Sequence, residues 1–196
     1  MDKICFVYYS LTKHNSSKIV NEIRKNIKGD IKEITEQIDR EGYHNLWTYT
    51  KEYFFNEDNS KYLNTAVFDD IAKYRTIVFI GPIWGHSLSS PMKYACEYIA
   101  PKLTPQHHVF LGLSYKSKTN SGIEKAQKCF NEIFENKVVV HANILTCQED
   151  DFNKKLCSEQ LLRFENEILQ TVDLPPLKKI QGPDTIINPN ETKCCN

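Results

Sequence analysis

The sequence has no excess of charge of either sign, and it has no long apolar segment. Its 196 residues include 25 Lys plus Arg and 25 Asp plus Glu, so the formal net charge is zero. A neutral chain lacks the basic surface that nucleic acid or anionic lipid attracts. No apolar run approaches the roughly 20 residues that a membrane-spanning helix needs. We therefore expect no nucleic-acid partner and no transmembrane segment.

Cysteine and histidine patterns that indicate a metal site or a disulfide framework are also missing. The seven cysteines are odd in number and form no Cys-x-x-Cys pair, and the histidines show no ligand spacing. We therefore expect no metal site. Free cysteines within apolar runs are typical of a reducing compartment. The first strand-like run begins at Lys3, which leaves no space for a signal peptide, so the predicted location is cytoplasmic.

The chain does contain an alternation of short apolar runs with amphipathic stretches, which predicts an α/β fold with helices on both faces of a parallel sheet. Predicted strands cover 4–8, 31–37, 76–80, 109–113 and 138–145, the last interrupted by His141 and Asn143. Predicted helices cover 16–27, 90–99, 122–135 and 150–170. We expect a doubly wound five-stranded parallel sheet of order 2-1-3-4-5, a three-layer sandwich.

Two segments are harder to assign. Residues 38–66 are rich in aromatic side chains, and a helix over 44–56 would either pack them on the sheet or form a surface near a ligand or partner. Residues 173–196 are rich in Pro and Asn and lack periodicity, so we expect one domain over 1–172 and a flexible tail over 173–196. The adjacent Cys194 and Cys195 are either lipidated or part of an unmodified tail.

Ligands of open parallel sheets bind beyond the carboxyl ends of the strands, where the strand order reverses. The first such loop follows the first strand and opens the first helix. It combines free helix N–H groups with the polar side chains of Ser10, Thr12, Asn15, Ser16 and Ser17. This combination predicts a phosphate site. The alternative is that one of these side chains only caps the helix.

The second loop, 81–90, carries Trp84, whose large ring predicts stacking on a flat ligand. Gly85 allows close backbone approach. The alternative is that the indole folds back on its own domain. The third loop, 114–122, offers the aromatic Tyr115 and several donors, or is an ordinary solvated connection. His86 would shuttle a proton beside a ligand or be solvent-exposed.

Other α/β functions lack their motifs. No GxGxxG follows the first strand, and no GxxxxGK[ST] occurs, which excludes the dinucleotide fingerprint and the P-loop. A receiver domain would need carboxylates where Ser10 and Gly81 stand, and a cysteine phosphatase would need a Cys with a nearby Arg at the end of the first strand.

The three loops resemble those of the flavodoxin family. Residues 9–12 (YSLT) with Asn15 and Ser16 are similar to its phosphate loop, although Lys13 and His14 replace the usual single Gly. Residues 74–85 (YRTIVFIGPIWG) are similar to its third strand and flavin loop. The resemblance implies a flavodoxin-like sandwich that binds flavin mononucleotide (FMN) without a covalent bond. The residues that it implies as contacts are Ser10, Thr12, Lys13, Asn15, Ser16, Ser17, Pro82, Ile83, Trp84, Gly85, Ser114, Tyr115 and Gly122.

The resemblance also implies a function, an FMN-dependent oxidoreductase or electron-transfer protein. It would take electrons from a reduced nicotinamide nucleotide or a partner protein and pass them to a quinone-like or protein acceptor. The neutral charge favours an enzyme or a protein of modified function over a carrier, because free-standing flavodoxin carriers tend to be acidic. The alternative is a binding module with weak or lost flavin binding that acts through protein–protein contacts.

Overall fold

The computed structural model of the chain describes residues 4–10, 15–37, 51, 59–116, 122–148 and 158–177. The strands are β1 (Ile4–Tyr8), β2 (Asp30–Glu33), β3 (Thr76–Trp84), β4 (Ser87–Leu88), β5 (His108–Tyr115), β6 (Val139–Val140) and β7 (Leu145–Gln148). The α-helices are α1 (Asn15–Ile23), α2 (Ser90–Ile99), α3 (Ile123–Phe134) and α4 (Ser158–Thr171). Short 3-10 helices cover Ser60–Tyr62, Thr65–Phe68, Ile71–Lys73 and Ala100–Lys102.

The strands form one sheet of order β2-β1-β3-β5-β6. All neighbours on this path are parallel, while β7 pairs with β5 and the short β4 runs antiparallel to β3. The predicted order 2-1-3-4-5 is confirmed, because β5 holds the place of the predicted fourth strand and β6 with β7 holds that of the fifth. The strand order reverses between β1 and β3, so the carboxyl ends of these strands face the expected ligand position.

The central strands β1, β3 and β5 bury both faces, as their near-continuous apolar runs predict. On one face, α1 and α4 cover Phe6, Val78 and Phe110. On the other face, α2 and α3 cover Ile77 and Phe79 with their neighbours. Since side chains alternate along a strand, adjacent residues of β3 serve opposite layers. The result is the predicted three-layer sandwich.

The fifth strand was predicted over 138–145 with an interruption at His141 and Asn143; the interruption is confirmed, but the predicted end at Leu145 was wrong, because the strand continues to Gln148. The strand divides into β6 and β7, with residues 141–144 between them. There the polar side chains find partners outside the ladder. His141 stacks on Phe110 at a ring distance of 3.9 Å, and Asn143 donates to a Glu167 carboxylate oxygen at 3.3 Å. The His141 Nε2 also lies 3.0 Å from the His108 Nδ1, so the His141 and Asn143 side chains both have hydrogen-bond partners that a buried continuous strand would not offer.

The third strand was predicted to end at Ile80, and this too was wrong, because β3 continues to Trp84. The Ile80 carbonyl accepts the Tyr9 N–H at 3.1 Å on the β1 side. Alternation places Pro82 on that same side, where β1 has already ended, so its missing N–H costs no ladder bond. The Pro82 carbonyl accepts the Ser89 N–H at 3.1 Å.

The helices agree with the periodicity, with shifted ends. α1 begins one residue before its predicted start and gives way to a turn after Ile23, while α2 has its predicted bounds. β2 covers Asp30–Glu33 rather than 31–37. Of the predicted helix 150–170, the described part is α4. The predicted helix 44–56 lies outside the described residues except for Lys51.

The chain beyond α4 is described as far as Leu177. The Leu177 N–H donates to the Asn166 side-chain oxygen at 2.6 Å, which holds this segment along α4. Residues 178–196, with Cys194 and Cys195, lie outside the described residues. The domain boundary at 172 and the flexible tail stay predictions.

Candidate functional site

The carboxyl ends of β1, β3 and β5 meet at one edge of the sheet, and Ser10 lies just beyond β1. The Ser10 Oγ is buried and has no hydrogen-bond partner within the described part of the chain. A buried hydroxyl without a partner carries a desolvation cost of roughly 1–3 kcal/mol. Such a group at the edge where ligands bind is therefore a candidate for a ligand contact.

The start of α1 supplies the rest of the predicted phosphate loop within the described residues. Asn15 is its first residue and is half-buried, as is Ser17. A helix of this length presents free N–H groups and a partial positive charge at its start. Thr12 and Lys13 lie outside the described residues.

Ser16, the second residue of α1, has a hydrogen-bond partner on β5. Its Oγ lies 3.2 Å from the Ser114 Oγ, and both residues are buried. Ser114 was predicted to lie in the third loop, but it is the penultimate residue of β5. Tyr115, the last residue of that strand, is half-buried, so the predicted loop begins two residues later. The hydrogen bond joins the first and third predicted loops.

The predicted second loop contains a β-hairpin. Trp84 pairs with Ser87, and the two residues between them are Gly85 and His86, with φ angles of 51° and 71°. Two successive left-handed residues in a two-residue connection define a type I′ turn, whose twist matches that of the flanking strands. Gly85 adopts this backbone readily, whereas a side chain such as that of His86 makes it less favourable. The His86 side chain is exposed.

The indole of Trp84 is half-buried and packs edge-to-face on Tyr9. The two ring centroids lie 5.5 Å apart at an interplanar angle of 83°. This contact corresponds to the alternative in which Trp84 folds back on its own domain. It also joins the first predicted loop to the second. Pro82 and Ile83 are half-buried beside it, so the strand end remains partly accessible.

Gly122 lies where the third predicted loop contacts the second. It is the N-cap of α3 and has a φ angle of 105°. A Cβ on Gly122 would lie 2.5 Å from the His86 Cα, so the two backbones are in direct contact. The three predicted loops are thus joined in pairs by Tyr9–Trp84, Ser16–Ser114 and His86–Gly122.

Two features were missed from the sequence. The hairpin could have been found, because Gly85-His86 separates two pairs of strand-forming residues. Ser89 occupies the cap position of α2, but its Oγ makes no capping bond and is buried without a partner within the described residues. No sequence signal distinguishes such a side chain from an ordinary cap.

The described residues contain neither a candidate metal site nor a candidate membrane-spanning helix. Within the parts of the chain that the structure describes, no three or more His, Cys, Asp or Glu side chains are grouped so that they could hold a metal ion. None of the helices in those same parts combines the length and apolar character needed to cross a membrane.

Comparison with known proteins gives structural neighbours only. No protein-family model matches the chain, and no curated protein matches it either. A flavoprotein from Lactobacillus acidophilus in complex with FMN has 17% identity and a TM-score of 0.57, covering 77% of this chain and 95% of that one. Flavodoxin 2 from Bacillus cereus has 13% identity and a TM-score of 0.56, covering 86% and 98%.

A flavodoxin, WrbA-like protein from Agrobacterium tumefaciens has 11% identity and a TM-score of 0.57, covering 87% of this chain and 99% of that one. These neighbours are flavodoxin-like flavoproteins. Identities this low show the fold alone, since one fold can host several functions. The chain therefore has the flavodoxin-like fold that the resemblance implied.

Proposed function

We propose that the protein binds FMN at the carboxyl edge of its sheet and is an FMN-dependent oxidoreductase or electron-transfer protein. The observation that carries this proposal is the buried, unpartnered Ser10 Oγ beside the start of α1. A phosphate would give this hydroxyl an acceptor and would meet the helix N–H groups. The flavodoxin-like fold supports the proposal, because one solved neighbour was crystallised in complex with FMN.

The residues divide between the two ends of the flavin. Ser10, Asn15 and Ser17, with Thr12 and Lys13 from the resemblance, would hold the phosphate, and Ser16 would support them through Ser114. The hairpin end of β3 and Tyr115 would flank the ring, with Pro82, Ile83 and Gly85 offering backbone contacts. The bound flavin would supply the redox chemistry, while the chain would bind it, orient it and limit its access to water.

The expected direction of electron flow comes from the class of protein. A reduced nicotinamide nucleotide or a partner protein would be the donor, and a quinone-like compound or a protein would be the acceptor. The zero net charge supports an enzyme over a carrier, because it gives no long-range steering towards a basic reductase. A cytoplasmic location and lipidation of Cys194 and Cys195 are further parts of this proposal.

An absorption spectrum and a titration test the cofactor. We expect bound FMN to show flavin absorption bands, and its fluorescence to be quenched on addition of the protein. Riboflavin, which lacks the phosphate, should bind at least tenfold more weakly, since charge-assisted hydrogen bonds contribute about 1.5–3 kcal/mol. Equal affinity for FMN and riboflavin would contradict the phosphate site.

Turnover tests the redox role. With FMN bound, the protein should oxidise reduced nicotinamide in the presence of a quinone, and the control is the same mixture with free FMN at equal concentration. A protein that holds FMN but shows no turnover beyond that control would be an electron carrier rather than an enzyme.

A binding module is the second candidate, and two contacts favour it. The Trp84 ring already packs on Tyr9, and the Ser16 hydroxyl already has Ser114 as a partner. Both groups are therefore satisfied without a ligand. In this case added FMN would keep its fluorescence at high micromolar protein, and the protein would act through contacts with another protein.

A further inference from the structure

Gly122 makes an unusually close backbone contact with the hairpin. Built on its backbone, a Cβ would lie 2.5 Å from the His86 Cα, 2.8 Å from its carbonyl carbon and 3.0 Å from its oxygen. All three are main-chain atoms, which cannot rotate away as the end of a side chain can. Any residue other than glycine must therefore move either the hairpin or the start of α3.

The start of α3 is the more strongly held of the two elements. α3 is a 12-residue helix that buries Ala126, Phe130 and Phe134, and the last two rings contact Phe79 of the central strand. The Ala126 N–H donates to the Gly122 carbonyl at 2.9 Å, which ties the cap to the helix. Displacing this end would disturb the core, so a clash at Gly122 would move the hairpin.

The hairpin is held by its own ladder between β3 and β4, by the Ser89 N–H bond to the Pro82 carbonyl and by the packing of Trp84 on Tyr9. Its strand β4 also packs on the core through the buried Leu88. The turn residue His86 has an exposed side chain, and its backbone lies against Gly122. Because Trp84 lies two residues before His86 in the same hairpin, a shift of the turn would also shift the indole.

We propose that Gly122 is a positioning residue. Because it has no Cβ, the His86 backbone can lie directly against it, and this contact fixes the position of the hairpin that carries Trp84. Placement of the hairpin follows from the contact alone. Its consequence for FMN binding rests on the proposed function. Gly122 was predicted as a flavin contact, and this proposal gives it an indirect role through His86.

The test compares two glycine substitutions that create similar clashes at opposite ends of the sheet. Gly122→Ala places a Cβ against the His86 backbone. Gly29→Ala, the matched control, places one 2.7 Å from a Phe6 ring carbon and 2.8 Å from the Ile4 carbonyl oxygen. Gly29 precedes β2 at the amino edge of the sheet. Both variants should lower the unfolding temperature.

The direct measurement uses 5-fluorotryptophan. The chain has two Trp residues, so the Trp84 fluorine signal is identified by its loss in Trp84→Phe. Without flavin, Gly122→Ala should move the Trp84 signal by more than its linewidth, while Gly29→Ala leaves it in place. An unmoved signal in folded Gly122→Ala, or an equal movement in Gly29→Ala, would overturn the proposal.

A second variant separates space from backbone strain and serves if Gly122→Ala does not fold. Gly122→Asn carries the same Cβ, but Asn tolerates a positive φ better than Ala does. If the contact with His86 matters, Gly122→Asn should also move the Trp84 signal. A wild-type signal in that variant would show that only the φ of 105° requires glycine, against the proposal.

Flavin titration of the same proteins measures the functional consequence. We expect the dissociation constant for FMN to rise at least tenfold in Gly122→Ala and to stay within twofold in Gly29→Ala. If the unaltered protein binds no FMN, the proposed function fails, and the fluorine measurement still decides whether Gly122 positions the hairpin.

Discussion

The two edges of the sheet differ in how completely their polar side chains are hydrogen-bonded. At the amino edge, side chains are paired: Thr76 with Thr171 at 2.7 Å and Tyr74 with Asp30 at 2.7 Å. At the carboxyl edge, Ser16 and Ser114 form a similar pair, but the hydroxyls of Ser10 and Ser89 are buried without a partner in the described part of the chain. Paired groups stabilise a fold, whereas unsatisfied ones persist where a ligand or a function compensates for them. The contrast supports the proposal that ligands bind at the carboxyl edge.

Residues with a left-handed backbone conformation (positive φ) also differ between the two edges of the sheet. At the carboxyl edge they lie in the hairpin, at Gly85 and His86, and at Gly122 against it. The remaining described ones are Asn136 and Asp173, which follow the ends of α3 and α4, where such a backbone is common. Backbone strain away from helix ends is therefore found beside the candidate site, as functional sites often show.

The largest expected effect concerns a buried carboxyl group outside the candidate site. Glu165 on α4 is 2% exposed, and the Asn26 amide lies 3.1 Å from both of its carboxylate oxygens. Burial raises the pKa of Glu165 from its ordinary 4.5 to about 7, and the Asn26 bond opposes this only in part. The folded state therefore holds the proton more tightly than the unfolded chain.

The contribution of Glu165 to the free energy of unfolding is fully present below pH 4.5 and is lost as the pH rises through 7. We expect the free energy of unfolding to fall by up to about 3 kcal/mol relative to Glu165→Gln over this range. Urea unfolding of both proteins at several pH values measures the difference. An unchanged difference between pH 4 and pH 8 would contradict the raised pKa.

A smaller effect tests the paired hydroxyls against an unpaired one. Thr171→Val leaves the Thr76 hydroxyl, which is fully buried, without its Thr171 partner. We expect a loss of about 1–3 kcal/mol in the free energy of unfolding. The matched change is Ser89→Ala, which removes a buried hydroxyl that has no partner and should alter stability by less than about 0.5 kcal/mol. Equal losses would remove the distinction between the two edges.

Ser10→Ala probes the same contrast by affinity. It deletes a buried hydroxyl that has no partner in the free protein, so stability should change little. The dissociation constant for FMN should rise roughly tenfold, a change of about 1.4 kcal/mol in binding. Thr104→Ala, which removes an exposed hydroxyl ahead of β5, is the control and should bind as the unaltered protein does. Fluorescence titration measures both, and unchanged affinity in Ser10→Ala would exclude the phosphate contact.

The smallest effect concerns the hairpin turn. His86→Gly removes a side chain from a left-handed residue and keeps the main-chain atoms that face Gly122. Relief of backbone strain is partly offset by the flexibility of glycine in the unfolded chain, so we expect a gain of about 0.5 kcal/mol. Thermal unfolding measures it. A loss of stability would mean that the His86 side chain makes a contact that matters.

The layered fold was predictable because it depends on local patterns. β1 and α2 have their predicted bounds, and the strand order follows from the alternation of apolar runs with helices. The interruption of the fifth strand was predictable from the polar His141 and Asn143, but the stacking of His141 on Phe110 of the neighbouring strand was not. Likewise, the continuation of β3 through Pro82 depends on β1 ending beside it.

The sequence by itself determined the elements, their order and the edge of the sheet where polar loops collect. Hydrophobic periodicity and turn residues act over a few neighbours, and these decide such features. Only the tertiary structure decided that Trp84 packs on Tyr9, that Ser16 is hydrogen-bonded to Ser114 and that Gly122 contacts the His86 backbone. Each of these pairs joins residues far apart in the chain, and their contact exists only once the sheet has brought the strand ends together.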